Sequence, residues 1–101
     1  MIITRWQAAM VPEVQQIKNI FQAEGLIPYE DQISGKTETS VLRLPFDEVR
    51  MVARGEMLLN ISGNKMLLRS GDKVIIPANT KHSMKVDNEQ GCLCVCAKRI
   101  F

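Results

Sequence analysis

The 101-residue chain lacks the features of membrane-bound and exported proteins. No apolar run approaches the roughly 20 residues that a membrane-spanning helix needs. The first residues, from Met1 to Trp6, have neither the charged start nor the long apolar centre of a signal peptide. Three cysteines, an odd number without an export signal, indicate free thiols in a reducing compartment. We therefore expect a cytoplasmic protein with no membrane partner.

The sequence also lacks concentrated charge and recognisable catalytic motifs. The formal net charge is +2, and no block of Lys and Arg gathers it into a basic patch, so no nucleic-acid partner is expected. There is no Gly-rich phosphate loop and no Ser/His/Asp set that spacing can assemble. The single histidine, His82, is by itself more typical of a partly buried residue than of a ligand or catalyst.

One segment near the N-terminus has the signals of a helix, from Pro12 to Glu24. Pro suits the first helical position, and Gly25 suits a left-handed C-terminal cap with Leu26 against Phe21. Apolar residues recur at helical spacing, at Val14, Ile17, Ile20 and Phe21. We expect this stripe to cover the outside of a sheet. Before the helix, Ile2, Ile3 and Trp6 suggest a short strand or an arm.

The rest of the chain predicts short β-strands separated by tight turns. The predicted strands are Ile27–Gln32, Thr39–Leu44, Glu48–Ala53, Glu56–Ile61, Lys65–Arg69, Lys73–Ile76, His82–Val86 and Cys92–Arg99. Turn residues fill the intervals between them, and Ser62-Gly63-Asn64 is typical of a hairpin. Seven or eight such strands in one domain of this length predict a sandwich or a jelly-roll barrel.

Two motifs in this β region resemble those of the cupin family. The second cupin motif is Gly, five residues, Pro, one residue, Gly, two residues and His; with Asn replacing the second Gly, it is matched by Gly71, Pro77, Asn79 and His82. The first motif opens on Gly and ends in Glu, six residues and Gly; its counterparts are Gly35, Glu48 and Gly55.

The resemblance implies an all-β, double-stranded β-helix of the RmlC-like type, with one N-terminal α-helix and a pocket inside the barrel. Residues 1–34 would form an N-terminal arm and helix that pack on the barrel, and residues 35–101 the cupin barrel itself, within one domain overall. The resemblance also implies a homodimer.

The resemblance fails at the metal site. Metal-binding cupins use His-x-His and Glu from the first motif and His from the second. Counting from Gly35, Val41 and Arg43 replace the first two histidines, so only Glu48 and His82 remain. Two ligands are too few to retain a transition metal tightly. No cofactor is therefore expected; if a divalent metal binds, Glu48 and His82 are its ligands.

Strand alternation places Val41 and Arg43 on one face, which is the pocket face if the cupin register holds. We expect Arg43 to pair with Glu48 and to replace the charge of the missing ion, because a buried carboxylate needs a partner. Two alternatives stay open: both side chains are solvated at the barrel rim, or Arg43 binds a carboxylate or phosphate of a ligand. The candidate ligand-binding residues are Val41, Arg43, Glu48 and His82.

Cys92, Cys94 and Cys96 form an alternating pattern on the last predicted strand. All three thiols should lie on one face, spaced by about 6.6 Å along the strand. We expect three small buried side chains that pack in the barrel wall. The functional alternative is a redox-sensitive or metal-scavenging face.

The leading functional hypothesis is a small stand-alone cupin that binds a small polar molecule without a tightly bound metal. The alternative is a cupin enzyme, isomerase-like or metal-dependent oxygenase-like, with His82 and Glu48 as catalytic candidates. A third hypothesis is a dimeric interaction module whose interior is filled by Arg43 and methionines. The sequence identifies neither the ligand nor a reaction.

Overall fold

The computed structural model describes residues 2–5, 10 and 12–100. Within these residues the chain forms one helix and nine strands. The helix α1 is Val14–Ala23. The strands are β1 (Ile2–Thr4), β2 (Tyr29–Ile33), β3 (Thr37–Glu38), β4 (Asp47–Arg54), β5 (Glu56–Ile61), β6 (Asn64–Arg69), β7 (Lys73–Ile76), β8 (His82–Val86) and β9 (Cys92–Arg99). The mainly β prediction with one N-terminal helix is confirmed.

The ends of α1 follow from local capping. The helix begins at Val14, two residues after the predicted Pro12 start, because Glu13 is the N-cap and its backbone N–H donates to Gln16 Oε1 (2.7 Å). At the other end Gly25 has φ 81° and the backbone N–H of Leu26 donates to Phe21 O (3.0 Å). This is the Schellman geometry that the sequence predicts.

The strands form two antiparallel sheets. The five-stranded sheet has the order β1-β7-β4-β9-β2, and the four-stranded sheet has the order β3-β8-β5-β6. Strand β2 lies before residue 35 and pairs with β9, so the first 34 residues contribute to the sheet as well as the helix. Of the predicted N-terminal strand, Ile2 and Ile3 lie in β1, and Trp6 lies outside the described residues.

Alternation along β4 and β9 separates two cores. Val49, Met51 and Ala53 of β4 face outward and pack with Val95 and Ala97 of β9 under helix α1. The inward residues of the same strands join a second core with residues of β5, β6, β7 and β8. The helix therefore covers the outside of the five-stranded sheet, as its apolar stripe predicts, and the second core fills the barrel.

The predicted strand Thr39–Leu44 is wrong. Within this segment only Leu42 forms a bridge, to His82, and strand β3 has already ended at Glu38. The segment leads into β4 as irregular chain.

The turn chemistry is confirmed at two corners. Ser62 and Gly63 both have positive φ (50° and 89°) between β5 and β6, the pattern of a two-residue hairpin turn. Asn79 has φ 60°, so it takes the left-handed conformation for which the second cupin motif uses Gly. This turn delivers His82 to the start of β8.

No helix in the part of the chain that the structure describes is long and apolar enough to cross a membrane.

Candidate functional site

A buried ion pair on strand β4 forms the centre of the candidate site. Arg50 donates from Nε (2.8 Å) and Nη2 (2.5 Å) to Oε1 of Glu48. The two residues are 5% and 2% exposed. Arg50 Nη1 donates to Asp31 Oδ2 on β2 (2.8 Å), and this carboxylate is partly exposed. One guanidinium thus joins two carboxylates from two strands.

The surroundings keep Arg50 charged. Burial alone lowers the pKa of Arg50, but its neighbours, including Cys96 and Glu48, raise that pKa above its ordinary value. Burial also raises the pKa of Cys96, so this thiol is neutral at pH 7. Glu48 and Asp31 are therefore the carboxylates that stabilise the buried guanidinium.

His82 lies beside this pair with one ring nitrogen unsatisfied. Its Nδ1 lies 2.9 Å from the carbonyl oxygen of Thr80, and because a carbonyl only accepts, Nδ1 carries the proton. Nε2 then presents a lone pair, is buried, and has no hydrogen-bond partner. It lies 3.9 Å from Glu48 Oε2, beyond hydrogen-bond distance.

A cavity of about 450 Å³ opens onto these groups. Its polar lining includes Asp31, Glu48, Arg50 and His82, with Tyr29 at one side. Burial, followed by nearby charged groups, raises the pKa of Tyr29, so the phenol stays neutral. Apolar side chains supply much of the remaining wall, among them Ile33, Leu42, Leu44, Phe46 and Met84. The site combines convergent polar groups with an apolar wall, as small-molecule pockets do.

The structure brings together two of the four predicted site residues. Glu48 and His82 lie side by side in the cavity wall. Val41 is 66% exposed and Arg43 is exposed, so both point away from the cavity. The expectation that they face the pocket is wrong, because Leu42 and Leu44 of the same segment face the cavity instead and the register is the opposite of the one assumed.

The prediction that Glu48 pairs with Arg43 is also wrong, although its partner is an arginine. Glu48 pairs with Arg50, two residues further along the same strand. The signal was present in the sequence, because alternation puts residues 48 and 50 on one face of the strand predicted there. Asp31 had no comparable signal, since its approach depends on the pairing of β2 with β9.

Comparison with known proteins agrees with this architecture. Residues 38–98, more than half of the chain, match the family model Cupin_2, described as a cupin domain. The chain belongs to the cupin family. A search of curated proteins finds no match.

Solved cupin structures share the fold at low identity. An RmlC-like cupin from Shewanella frigidimarina superposes with a TM-score of 0.64 at 21% identity, over 74% of this chain and 67% of that one. Protein NMB1881 from Neisseria meningitidis superposes with a TM-score of 0.63 at 20% identity, over 72% of each chain. Protein plu4264 from Photorhabdus luminescens superposes with a TM-score of 0.66 at 18% identity. This match covers 72% of this cupin but 61% of that chain. At these identities the comparisons establish the fold alone.

The donor groups of this cupin do not fit the metal site of its family. Among residues 2–5, 10 and 12–100, no group of three or more His, Cys, Asp or Glu side chains is placed to hold a metal ion. Arg50 adds a fixed cation on Oε1 of Glu48, one of the two remaining family ligands. A metal here would face charge repulsion and an incomplete set of ligands.

The three cysteines of β9 lie on one buried face, as their spacing predicts. All are free thiols, and they belong to the core inside the barrel. Cys92 Sγ and Cys94 Sγ lie 3.8 Å apart. This contact raises the pKa of Cys92 and lowers that of Cys94, and Arg50 further favours the Cys94 thiolate.

Proposed function

We propose that this cupin binds a small polar molecule in the barrel cavity without a tightly bound metal. The observation that carries the proposal is the buried His82 Nε2, unpaired and adjacent to the Glu48–Arg50 ion pair in the cavity wall. Buried polar atoms are normally satisfied, so an unpaired one at a cavity is well placed to meet a ligand. The volume of about 450 Å³ lies within the range of ligand pockets.

A second depression is larger than this cavity but lacks the predicted site residues, which supports the choice of the smaller cavity as the binding site. It measures about 680 Å³, and its lining includes Arg54 at the end of β4 and the glycines Gly55 and Gly91. None of the predicted site residues contributes to it. The smaller cavity is the one onto which the buried Glu48, Arg50 and His82 open.

Thermal unfolding against a panel of sugars, organic acids, amines and divalent metals tests the proposal. A compound that binds only the folded protein raises Tm, by an amount that grows with its concentration over Kd. Replacing His82 with Phe should abolish the shift, whereas replacing exposed Lys81 with Met should not. A panel with no shift at all would favour the third hypothesis, a structural interaction module.

The enzymatic alternative rests on the tautomer of His82. A neutral Nε2 that faces a cavity can accept a proton from a bound substrate, and Glu48 lies close enough to stabilise the resulting imidazolium. An isomerase-like proton transfer would use these two residues. Once a ligand is found, His82→Ala separates the roles, because a catalyst loses turnover while binding through the remaining contacts persists.

The metal-free state has its own test. Metal analysis of protein purified without chelator should find well below one equivalent of iron, zinc, nickel or manganese. Near-stoichiometric metal would overturn this part of the proposal and would favour the oxygenase-like alternative.

We further propose a cytoplasmic homodimer that contacts neither nucleic acid nor membrane. The three free thiols support a reducing compartment. Exposed Ile27, Tyr29 and Ile100 lie around one depression beside the edge strand β2, which supports self-association there. Sedimentation analysis should give a dimer, and Ile27→Lys should shift the equilibrium to monomer, whereas Glu56→Lys should not.

A further inference from the structure

The chemistry of the cavity's two unsatisfied acceptors specifies what kind of group a ligand must bring. This inference rests on the proposed binding function and narrows it to one ligand class. The first acceptor is His82 Nε2. Because Nδ1 donates to Thr80 O, the lone pair of Nε2 needs a donor from outside the protein.

The second acceptor is Oε2 of Glu48. Both hydrogen bonds from Arg50 go to Oε1, and no hydrogen bond to Oε2 is formed within the described residues. Oε2 and Nε2 are 3.9 Å apart, which is too long for a direct bond and short enough for one atom to lie about 2.9 Å from each. A group between them that satisfies both acceptors must donate twice, as an ammonium or a water molecule can.

The charge of the site points the same way. The described ionisable groups that line the cavity are Asp31, Glu48, Arg50, His82 and Tyr29. Two carboxylates and one guanidinium leave one net negative charge among these groups, and the excess lies on the partly exposed Asp31. A cation beside Oε2 of Glu48 is attracted by both carboxylates.

We infer that the cavity binds a primary ammonium group on a small apolar body. An ammonium has several N–H donors, so it satisfies Nε2 and Oε2 together and balances the net charge. A hydroxyl has a single hydrogen and leaves one acceptor unpaired. Leu42, Leu44 and Phe46 give the apolar body a wall to pack against.

Three matched probes separate this inference from the broader proposal: 2-phenylethylamine, 2-phenylethanol and 3-phenylpropanoate. By calorimetric titration the amine should bind at least about tenfold more tightly than the alcohol, and the anion should not bind. Preference for the alcohol or the anion, or no binding of any probe, overturns the ammonium assignment. The broader binding proposal fails only if no compound in the thermal panel binds.

The single histidine makes the site directly observable. In a ¹⁵N-labelled sample, long-range proton–nitrogen correlations should give one imidazole protonated at Nδ1, and the amine should move the Nε2 resonance. Glu48→Gln should weaken amine binding at least about tenfold, whereas Glu56→Gln, an exposed change of the same kind, should leave it unchanged. An imidazole protonated at Nε2 in the free protein overturns the inference even if Glu48→Gln fails to fold.

Discussion

The two faces of strand β4 place the same backbone in opposite chemical environments. The outer face carries Val49 and Met51 and is sealed by helix α1 without a charged group in its core. The inner face carries Glu48 and Arg50, buried to a similar degree, and opens onto a cavity. The outer face is stabilised mainly by apolar burial, with Lys73 over the Phe21 ring at its edge. The inner face contains a buried ion pair, which contributes little net stability although removing one partner is costly. The pair matters for the candidate site, because it forms the polar wall of the cavity.

The largest effect should come from breaking the inner ion pair. Arg50→Met leaves the Glu48 carboxylate buried without its partner and should destabilise the fold by about 3–5 kcal/mol in urea unfolding. The matched control is Arg43→Met, an exposed arginine that should change stability by no more than about 0.5 kcal/mol. Equal effects of the two substitutions would mean that Arg50 does not hold a buried charge.

A double substitution sharpens that result. Arg50→Met combined with Glu48→Leu removes both charges and should recover most of the stability lost by Arg50→Met alone. Ligand binding should not recover, because the polar side of the cavity is gone.

The outer face should respond to lost volume only. Ile17→Ala opens a cavity under α1 and should cost about 3 kcal/mol, while the binding of any ligand of the folded protein stays intact. Ile20→Ala, on the exposed side of the same helix, should cost less than about 1 kcal/mol. Loss of ligand binding in folded Ile17→Ala would show that the two faces are coupled.

Labelling of the β9 thiols tests whether the part of the inner face that does not line the cavity is inaccessible to reagents. Because Cys92, Cys94 and Cys96 are fully buried, a thiol reagent should modify the native protein at least about a hundredfold more slowly than the unfolded chain. Mass spectrometry over time measures the rate. Rapid modification of the folded protein would favour the redox-sensitive face over packing in the wall.

The smallest effect concerns the start of β4. Asp47 accepts hydrogen bonds from the Ala78 N–H (2.9 Å) and from Arg99 (3.0 Å), which lower its pKa. A carboxyl with a lowered pKa in the folded state adds stability above its unfolded pKa of about 3.9 and loses it as pH falls through the folded value. Asp47→Asn should therefore be less stable than the natural protein at pH 7, with the difference shrinking toward pH 3. A pH-independent difference in urea midpoints would contradict this linkage.

Much of the fold was predictable because its signals are local. The helix end at Gly25 and the hairpin at Ser62-Gly63 follow from residues a few positions apart. Strands β5, β7, β8 and β9 have the bounds that the turn residues predict. The irregular chain through Val41 and Arg43 was missed because β propensity there resembles a strand, and only the full sheet reveals that its pairing with β8 is limited to a bridge at Leu42.

The site was half predictable for the same reason. The resemblance to the two cupin motifs brought Glu48 and His82 together, and alternation within one strand identifies Arg50 once the count from Gly35 is set aside. Asp31 depends on which strand pairs with β9, and the unpaired state of His82 Nε2 depends on how the Thr80 turn folds. Neither is encoded by a short pattern.

Glu48 and Arg50 belong to one three-residue stretch of a single strand. Under the metal-free proposal, the pair that would oppose a metal is therefore set within one short stretch, although Arg50 also binds Asp31 of β2. A change of one codon at position 50 is enough to remove the pair. That change would not rebuild the family's ligand set, because Val41 and Arg43 occupy the two positions that the cupin resemblance assigns to histidine.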